Sequence, residues 1–404
     1  MGVLALSKNT NGNNNTAMGW DALFNNISGG ANTAFGAQAL FSSKTVGGNT
    51  AVGYQALFKD SAGSSNCALG YQALFSDSSG NDNSAFGFQT LFRNTSGGRN
   101  IAFGNESLKN NVDGNNNNAN GYQSLYSHRT GSFNTATGSY SMYTDSAGVD
   151  NTANGYRALY SHFIGDNNAA FGSRALYYDS SGTNNTAAGF KAVYNNKSGA
   201  GNVGVGYSTL YNNIIGNYNT SLGFNAGYSA LGTGNVFIGK NAGYTETGSN
   251  KIYIGNDSNK TYLYGDFSGA KGRILMGKAN PAGYVFMGNR TLNVMGGILT
   301  DSIRIALSGN WADYVFDENY KLKSLNELEN YIKENKHLPN IPSAKEMAAN
   351  GLNMEEINTR LLEKIEELYL YTLQLKEKIS QSDSDKAAQI SRLEERISQL
   401  ENKK

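Results

Sequence analysis

The sequence predicts a mainly β fold, a parallel β-roll or β-solenoid of 17-residue repeats that assembles as a trimer and ends in an α-helical coiled coil. Three observations predict it. A glycine recurs at every seventeenth position, an asparagine stands four residues before each of these glycines, and residues 355–404 carry a heptad pattern of apolar side chains. Self-similarity at a fixed period is the signature of a repeat architecture.

The repeat has the form Asn-x-Ala-x-Gly-x-x-Ala-Leu-aromatic, and it runs without insertion or deletion over thirteen copies. In nearly every copy Leu or another apolar residue stands four positions after the glycine and an aromatic residue stands five positions after it, Lys109 being an exception to the aromatic position. The recurrent corner glycines are Gly19, Gly36, Gly53, Gly70, Gly87, Gly104, Gly121, Gly138, Gly155, Gly172, Gly189, Gly206 and Gly223.

Seventeen residues are too few for a helical pair or a propeller blade and suit one turn of a β-solenoid. Residues 49–53 alternate small and polar side chains as a short strand does, residues 54–58 offer a second strand, and residues 59–63 have turn chemistry. Each turn is therefore predicted to hold two short strands. A glycine at the fixed corner permits positive φ and close approach of neighbouring backbones.

Stacking of the turns places equivalent residues about 4.8 Å apart, so the asparagines can form a hydrogen-bonded ladder. The glycines form a parallel column at the corner. The predicted structural ladder comprises Asn15, Gly19, Asn32, Gly36, Asn49, Gly53, Asn66, Gly70, Asn83, Gly87 and their equivalents in later copies.

The recurrent alanine of each turn (Ala17, Ala34, Ala51) is expected to fill a narrow interior, with the Leu and aromatic stripes along the outside. A long exposed apolar stripe is an interaction surface. We expect three rods to pack these stripes about a common axis as a homotrimer. The alternative is a monomeric solenoid with its aromatic residues folded inward.

The chain divides into four predicted segments. Residues 1–234 form the 17-residue-repeat roll, and residues 235–305 form a β-rich neck in which stronger β-formers such as those at 261–264, 274–276 and 284–287 replace the repeat. Residues 306–354 are a small helical and extended connector. Residues 355–404 are a coiled-coil trimerisation module that resembles an intramolecular chaperone in its placement.

Two capping boxes, Ser324 with Glu327 and Ser343 with Glu346, predict helix starts in the connector. The following heptads include Thr372 and predict a coiled coil. The insert at 380–386 is either a stutter in a continuous helix or a hairpin turn, and Ile at a with Leu at d favours dimers in isolation. The predicted coiled-coil core is Leu361, Ile365, Leu368, Leu375, Ile379, Ile390, Leu393, Ile397 and Leu400.

These motifs carry two resemblances. The Asn-x-Ala-x-Gly repeats over about residues 2–255 resemble the head domains of trimeric autotransporter adhesins, which are left-handed parallel β-rolls, although those heads use a shorter period. The tail from 311–316 through 338–343 to 366–371 is similar to the C-terminal module of tail-fibre-like proteins from Bacteroidetes bacteria and, in its placement, to the chaperones of phage tail spikes. The resemblance implies a trimerisation and folding module; the order Asp301-Ser302 does not match a self-cleavage motif.

Composition excludes several classes of function. With 33 Lys+Arg against 32 Asp+Glu there is no general charge for nucleic acid or an acidic membrane, and one cysteine excludes a disulfide framework. Cys67 is interpreted as a small packed residue, and His128 and His162 as solvated turn residues. Trp20 and Tyr54 share a position where aromatic rings either pack or bind sugars. We expect no cofactor, no metal site and no membrane insertion.

The expected function is non-enzymatic attachment: a trimeric fibrous adhesin or tail-fibre protein that binds a cell-surface glycan, polysaccharide or protein receptor by avidity. Its expected location is extracellular, on a bacterial surface or on the fibre of a phage or contractile injection particle. Because the chain opens inside a repeat, we expect a fragment of a longer protein. The alternatives are a purely structural spacer and a polysaccharide-degrading tail spike, which needs paired carboxylates in a groove.

Overall fold

A computed structural model describes residues 2–257, 260–270, 272–279, 291–302 and 312–402. The predicted strand at 284–287 and the aromatic residue that opens the tail at position 311 lie outside the described residues. The chain separates into two units, 1–298 and 299–404. None of the described helices is apolar enough over a sufficient length to cross a membrane.

The first unit is a parallel β-solenoid, which confirms the predicted fold class. One three-residue strand occurs in each turn, and each strand pairs in parallel with the next. The register is 17 residues as far as Thr220–Leu222, so that Ala17 pairs with Ala34 and Ala34 with Ala51, and it is 16 at the next pairing, of Thr220 with Val236. The strands β1–β14 are Thr16–Met18, Thr33–Phe35, Thr50–Val52, Cys67–Leu69, Ser84–Phe86, Ile101–Phe103, Asn118–Asn120, Thr135–Thr137, Thr152–Asn154, Ala169–Phe171, Thr186–Ala188, Val203–Val205, Thr220–Leu222 and Val236–Ile238.

Longer strands follow the stack. β15 (Lys251–Asp257) still pairs in parallel with β14, whereas β16 (Lys260–Asp266) and β17 (Arg273–Ala279) are antiparallel to their predecessors. β18 (Leu292–Val294) then pairs in parallel with β17. The strands predicted at 261–264 and 274–276 are thus confirmed within β16 and β17.

The predicted second strand of each turn, exemplified by residues 54–58, is wrong. The segment is a tight turn in which Gln55 and Leu57 adopt φ of 52° and 50°. The peptide N–H of Gln55 donates to the carbonyl of Ala37 in the preceding turn, and that of Leu57 donates to Ala73 in the following turn. Left-handed backbone costs roughly 1–2 kcal/mol per residue, and these bonds to both neighbouring turns offset it.

The predicted outward position of the Leu stripe is also wrong. Leu23, Leu40, Leu57 and Leu74 are fully buried together with the alanines of the strands and form the core of the solenoid. The positive φ of the leucine turns its side chain inward, so the interior holds a Leu column beside an Ala column. Only the aromatic residues are left on the outside.

The core changes its residue types near the end of the stack. Gly227 and Gly243 occupy the leucine position of their turns, and a Cβ atom on Gly227 would lie 2.5 Å from the ring of Phe237. Phe237 stands at the alanine position and is fully buried. One large ring therefore replaces the leucines of the turns on either side, which keeps the interior close-packed.

The second unit is helical. A 3₁₀ helix spans Ala312–Phe316, and α1 (Leu325–Asn335) and α2 (Ala344–Asn350) begin at the two predicted capping boxes. α3 (Met354–Glu401) is one continuous helix of 48 residues. The insert at 380–386 therefore continues the helix, as the stutter interpretation predicts, and it does not form a hairpin turn.

Candidate functional site

The predicted asparagine ladder holds the turns together through the backbone. The side-chain Oδ1 of Asn49 accepts the peptide N–H of Asn66, and its Nδ2 donates to the carbonyl of Gly63. Asn66 makes the same two bonds one turn further on. Amide-to-amide bonds also occur, for example from Asn134 to Asn117, but the backbone bonds recur in every turn from Asn15 to Asn219.

The corner glycines of the predicted ladder have no room for a side chain. Gly87 has φ of 138°, and a Cβ atom built on it would lie 2.7 Å from the carbonyl oxygen of Gly104. Gly19, Gly36, Gly53 and Gly70 have similar φ values. The asparagine and glycine columns therefore fix the spacing of the turns, and the outward-facing columns remain free to carry other chemistry.

An outer aromatic column lies five residues after each corner glycine. Its rings stack on one another with centroids 4.9–5.4 Å apart and planes within 15° of parallel. Within each run of stacked rings the neighbouring rings cover both faces, so the column presents mainly ring edges to solvent; Lys109 interrupts the stack between Phe92 and Tyr126. It consists of Phe24, Phe41, Phe58, Phe75, Phe92, Lys109, Tyr126, Tyr143, Tyr160, Tyr177, Tyr194, Tyr211, Tyr228 and Tyr244.

A second, more exposed aromatic column lies directly after the corner glycine in most turns. Trp20 and Tyr54 are 54% and 43% exposed, and Tyr54 stacks on Tyr71 with centroids 5.3 Å apart. The ring of Tyr54 therefore packs on its neighbour and remains accessible, and sugar binding at this position stays a prediction. Other members are Tyr71, Phe88, Tyr122, Tyr156, Phe190, Tyr207 and Phe224.

A central column, two residues after each glycine, lies between the aromatic columns. In the first turns it is a glutamine ladder, in which Nε2 of Gln55 donates to Gln38 at 2.8 Å and Nε2 of Gln72 donates to Gln55 at 2.9 Å. Later turns carry cations instead. Nζ of Lys191 lies 5.3 Å and 5.4 Å from the ring centroids of Phe190 and Tyr194, which belong to the two different aromatic columns.

Together the outer aromatic, exposed aromatic and central columns form one continuous face, which we call the aromatic face. It combines exposed rings, amide groups and cations at a spacing set by the stacking of the turns. The arrangement offers a chain-like ligand the same contacts again at every turn. We take the aromatic face as the candidate binding site.

A buried polar column lies seven residues after each glycine, on the inside of the solenoid. Its asparagines bind their own turn: Nδ2 of Asn94 donates to the carbonyl of Gly97 at 2.8 Å. Its aspartates act as acceptors instead: Oδ1 of Asp77 accepts a hydrogen bond from the N–H of Gly80 at 2.7 Å. The members are Asn26, Ser43, Asp60, Asp77, Asn94, Asn111, His128, Asp145, His162, Asp179, Asn196 and Asn213, all fully buried.

The interpretation of His128 and His162 as solvated turn residues is wrong. Both belong to the buried polar column, and both direct Nδ1 at the carboxylate of Asp145, at 2.6 Å and 3.0 Å. Nε2 of His128 faces the carbonyl of Gly131 at 2.8 Å, so both of its nitrogens face acceptors and the ring fits the site as a cation. Nε2 of His162 instead faces Nδ2 of Asn168, which suits a neutral ring.

The acids of the buried polar column differ in their surroundings. Burial raises the pKa of Asp60 and of Asp77 to about 7, and that of Asp179 to about 6. Burial also acts on Asp145, but the hydrogen bonds from His128 and His162 outweigh it and lower the pKa of that carboxyl. Asp60 and Asp77 occupy adjacent turns, yet both are fully buried, so they are not open to a substrate.

Cys67 lies in β4, is partly buried and is a free thiol whose pKa burial raises. Within the described residues there is no group of three or more His, Cys, Asp or Glu side chains that could hold a metal ion.

The predicted coiled-coil core residues all lie on α3. They are between 46% and 64% exposed in the single chain, from Leu361 to Leu400. The first turns of α3 also carry a polar network around the buried Glu363: Tyr314 donates to Glu363, and Lys364 bridges Glu363 and Glu367 at 2.7 Å and 2.9 Å. Burial opposes the ionised form of Glu363, but hydrogen bonds from Lys364, Tyr314 and Asn340 lower its pKa.

Comparison with protein-family models, with curated proteins and with solved structures gives no match to this chain. The resemblance to adhesin heads and tail-fibre modules therefore rests on the motifs themselves. What the structure does establish is the repeat, the parallel β-solenoid and the long C-terminal helix.

Proposed function

We propose that the chain is one subunit of a homotrimeric, non-enzymatic fibre that attaches its carrier to a cell surface. The ligand is a surface glycan, a polysaccharide or a protein receptor, and no cofactor takes part. The fibre stands outside the cell, on a bacterial surface or on a phage or contractile injection particle. The observation that carries the proposal is the aromatic face, which repeats the same accessible rings and polar groups from turn to turn.

Repetition makes weak contacts effective. Rings of the outer aromatic column recur every 4.9–5.4 Å along the solenoid, as in Phe24–Phe41 and Tyr228–Tyr244. A polymer that engages one turn holds its next units close to the following turns, so later contacts form at high effective concentration. Three chains in register would multiply the effect.

The apolar stripe of α3 supports self-association. Ile365 and Leu368 are 51% and 62% exposed, and the stripe continues at heptad spacing to Ile397 and Leu400. An isolated helix with such a stripe gains stability when it packs against copies of itself. The Ile and Leu pattern alone favours two strands, and the fibre body is proposed to set the number at three.

The test is binding of the intact chain to a glycan array, comparing wild type with the variant Tyr54→Ser, Tyr71→Ser, Phe88→Ser. Serine already occupies the same column at Ser139 and Ser173, so the variant should keep the fold. We expect wild type to bind a subset of glycans and the variant to lose at least about tenfold in apparent affinity, because several linked contacts are removed together.

The matched control removes three exposed rings outside the aromatic face, Phe133→Ser, Phe163→Ser and Tyr218→Ser, and should bind as wild type does. These rings are 58%, 57% and 71% exposed. Wild-type binding no higher than background would favour a structural spacer. Equal binding by the two variants would show that the aromatic face is not the site.

A further inference from the structure

Three consecutive turns of the aromatic face differ from the rest in charge. Arg157, Arg174 and Lys191 occupy the central column, where earlier turns carry glutamine. The turns are directly bonded: the N–H of Arg174 donates to the carbonyl of Tyr156, and that of Lys191 donates to Ser173. We call Arg157, Arg174 and Lys191 the cationic strip.

The cationic strip is held in place by rings. Cζ of Arg157 lies 5.4, 5.0 and 5.3 Å from the ring centroids of Tyr140, Tyr156 and Tyr160. Nζ of Lys191 lies within 5.9 Å of three further ring centroids. Rings on several sides restrict the side chains of Arg157 and Lys191 and lower the entropy lost when an anion binds.

The cations have no anionic partner in the part of the chain that the structure describes: none of the three makes an ion pair. Nε of Arg157 is buried and has no hydrogen-bond partner among the described residues. The columns on either side of the cationic strip carry no acidic residue in these turns. They hold Asn154, Tyr178 and Asn195 together with serines and apolar residues. The strip is thus a run of positive charge that the protein itself does not neutralise.

The outer aromatic column also differs between the two regions. It carries phenylalanine beside the glutamines at 38–89 and tyrosine from Tyr126 onward, so tyrosine lies beside the cationic strip, at Tyr160, Tyr177 and Tyr194. None of these three hydroxyls donates a hydrogen bond to another described residue. Burial raises the pKa of Tyr177 and Tyr194, so the hydroxyls keep their protons and can donate to an acceptor.

We propose that the cationic strip and its tyrosine edge bind an acidic polysaccharide laid along the solenoid, with carboxylate or sulfate groups paired to Arg157, Arg174 and Lys191. This inference rests on the proposed attachment function and names the ligand class for one part of the aromatic face. The sugar hydroxyls are matched by the row of tyrosine hydroxyls. A nucleic acid fits less well, because the stacked rings of the outer aromatic column have no free faces for bases.

The experiment measures binding of the full chain to two pairs of labelled polymers that differ in charge alone: polygalacturonate against its methyl ester, and dextran sulfate against dextran. The variant is Arg157→Gln, Arg174→Gln, Lys191→Gln. It is structurally conservative, since Gln55 has φ of 52° and the three cations have φ of 53–59° in the same column. The control Lys44→Gln, Arg99→Gln, Arg129→Gln removes three exposed cations elsewhere on the solenoid.

We expect wild type and control to prefer at least one charged polymer over its neutral partner, and the strip variant to bind that polymer about tenfold more weakly, because each half-exposed ion pair contributes a few-fold to affinity. Preference for the carboxylated or the sulfated polymer identifies the anion. Equal binding of charged and neutral polymers, equal loss in strip variant and control, or tighter binding of single-stranded DNA of equal charge would each overturn the inference.

Failure of this inference is distinguishable from failure of the proposed function. Binding of a neutral glycan on the array that depends on Tyr54, Tyr71 and Phe88, without any preference for charged polymers, would overturn the strip proposal alone. Absence of binding in both experiments would overturn both.

Discussion

The turns at 36–104 and those at 121–223 are built on the same backbone but carry different chemistry. The first set has a phenylalanine column beside a glutamine ladder, and it buries two neighbouring acids, Asp60 and Asp77. The second has a tyrosine column beside three cations, and it buries Asp145 between two histidines. The asparagine and glycine columns are unchanged throughout, so fold and surface chemistry are encoded at separate positions of the repeat.

The largest loss of stability is expected from a substitution that the shared backbone cannot accommodate. Gly87→Ala places a Cβ atom 2.7 Å from the carbonyl oxygen of Gly104 at φ of 138°. We expect the free energy of unfolding to fall by at least about 4 kcal/mol, since strain and overlap add. Urea denaturation followed by circular dichroism measures this.

Gly48→Ser is the matched control for Gly87→Ala. Gly48 also has positive φ, but its nearest neighbours lie 3.5 Å or more from a Cβ atom, and serine occupies the same column at Ser65. We expect a small change. Equal losses in the two variants would contradict the close-approach role assigned to the corner glycines.

A smaller loss is expected from Asp145→Asn in the second set of turns. The substitution removes the negative charge that both His128 and His162 face at full burial. An asparagine has one acceptor oxygen for the two Nδ1 atoms, so one buried hydrogen bond is lost, and we expect a loss of about 3 kcal/mol. Thermal and urea unfolding measure it; a variant as stable as wild type would show that the two histidines do not need both carboxylate oxygens.

Removal of one asparagine of the ladder should reduce the stability equally in both sets of turns. Asn83→Ala leaves the N–H of Asn100 without its acceptor, and Asn185→Ala does the same to Asn202. Each buried N–H left unpaired costs about 2 kcal/mol. Urea denaturation of the two variants should therefore give matching losses, and a clear difference would mean that the two sets do not share one scaffold.

One substitution is expected to increase the stability of the fold. The pKa of Asp77 is about 7 in the fold against an ordinary 3.8, so the folded chain holds the proton more tightly than the unfolded chain. Stability therefore decreases as pH rises from about 4 to about 7. Asp77→Asn should be more stable than wild type at pH 7.5 and as stable as wild type at pH 4, as measured by urea unfolding at both values. A gain that is independent of pH would contradict the assignment.

The repeat sequence was sufficient to predict the parallel solenoid, the alanine interior and the asparagine column, because each depends on one residue type at one fixed position. The turn at 54–58 was mispredicted because Tyr-Gln-Ala-Leu-Phe has the composition of a strand. Its conformation depends on hydrogen bonds from Gln55 and Leu57 to other turns, and local propensity does not report those bonds.

The burial of His128 and His162 was missed for a related reason. Each histidine was judged as one turn residue, although the position seven residues after the corner glycine is occupied by Asn, Ser, Asp or His in turn after turn. Comparison of the repeats at that position would have shown a column of hydrogen-bonding side chains. The aromatic face was predicted as an apolar stripe, but its charge pattern emerges only when columns two and five residues after the glycine are placed side by side.

The central claim, a fibre of chains held in register by α3, is tested most directly by light scattering of the full chain. A single chain has a mass of 43.3 kDa. We predict a particle of three chains for wild type, and single chains for a variant with Ile390→Glu and Ile397→Glu, because charges in a coiled-coil seam prevent its association. A wild-type mass equal to one chain would contradict the claim.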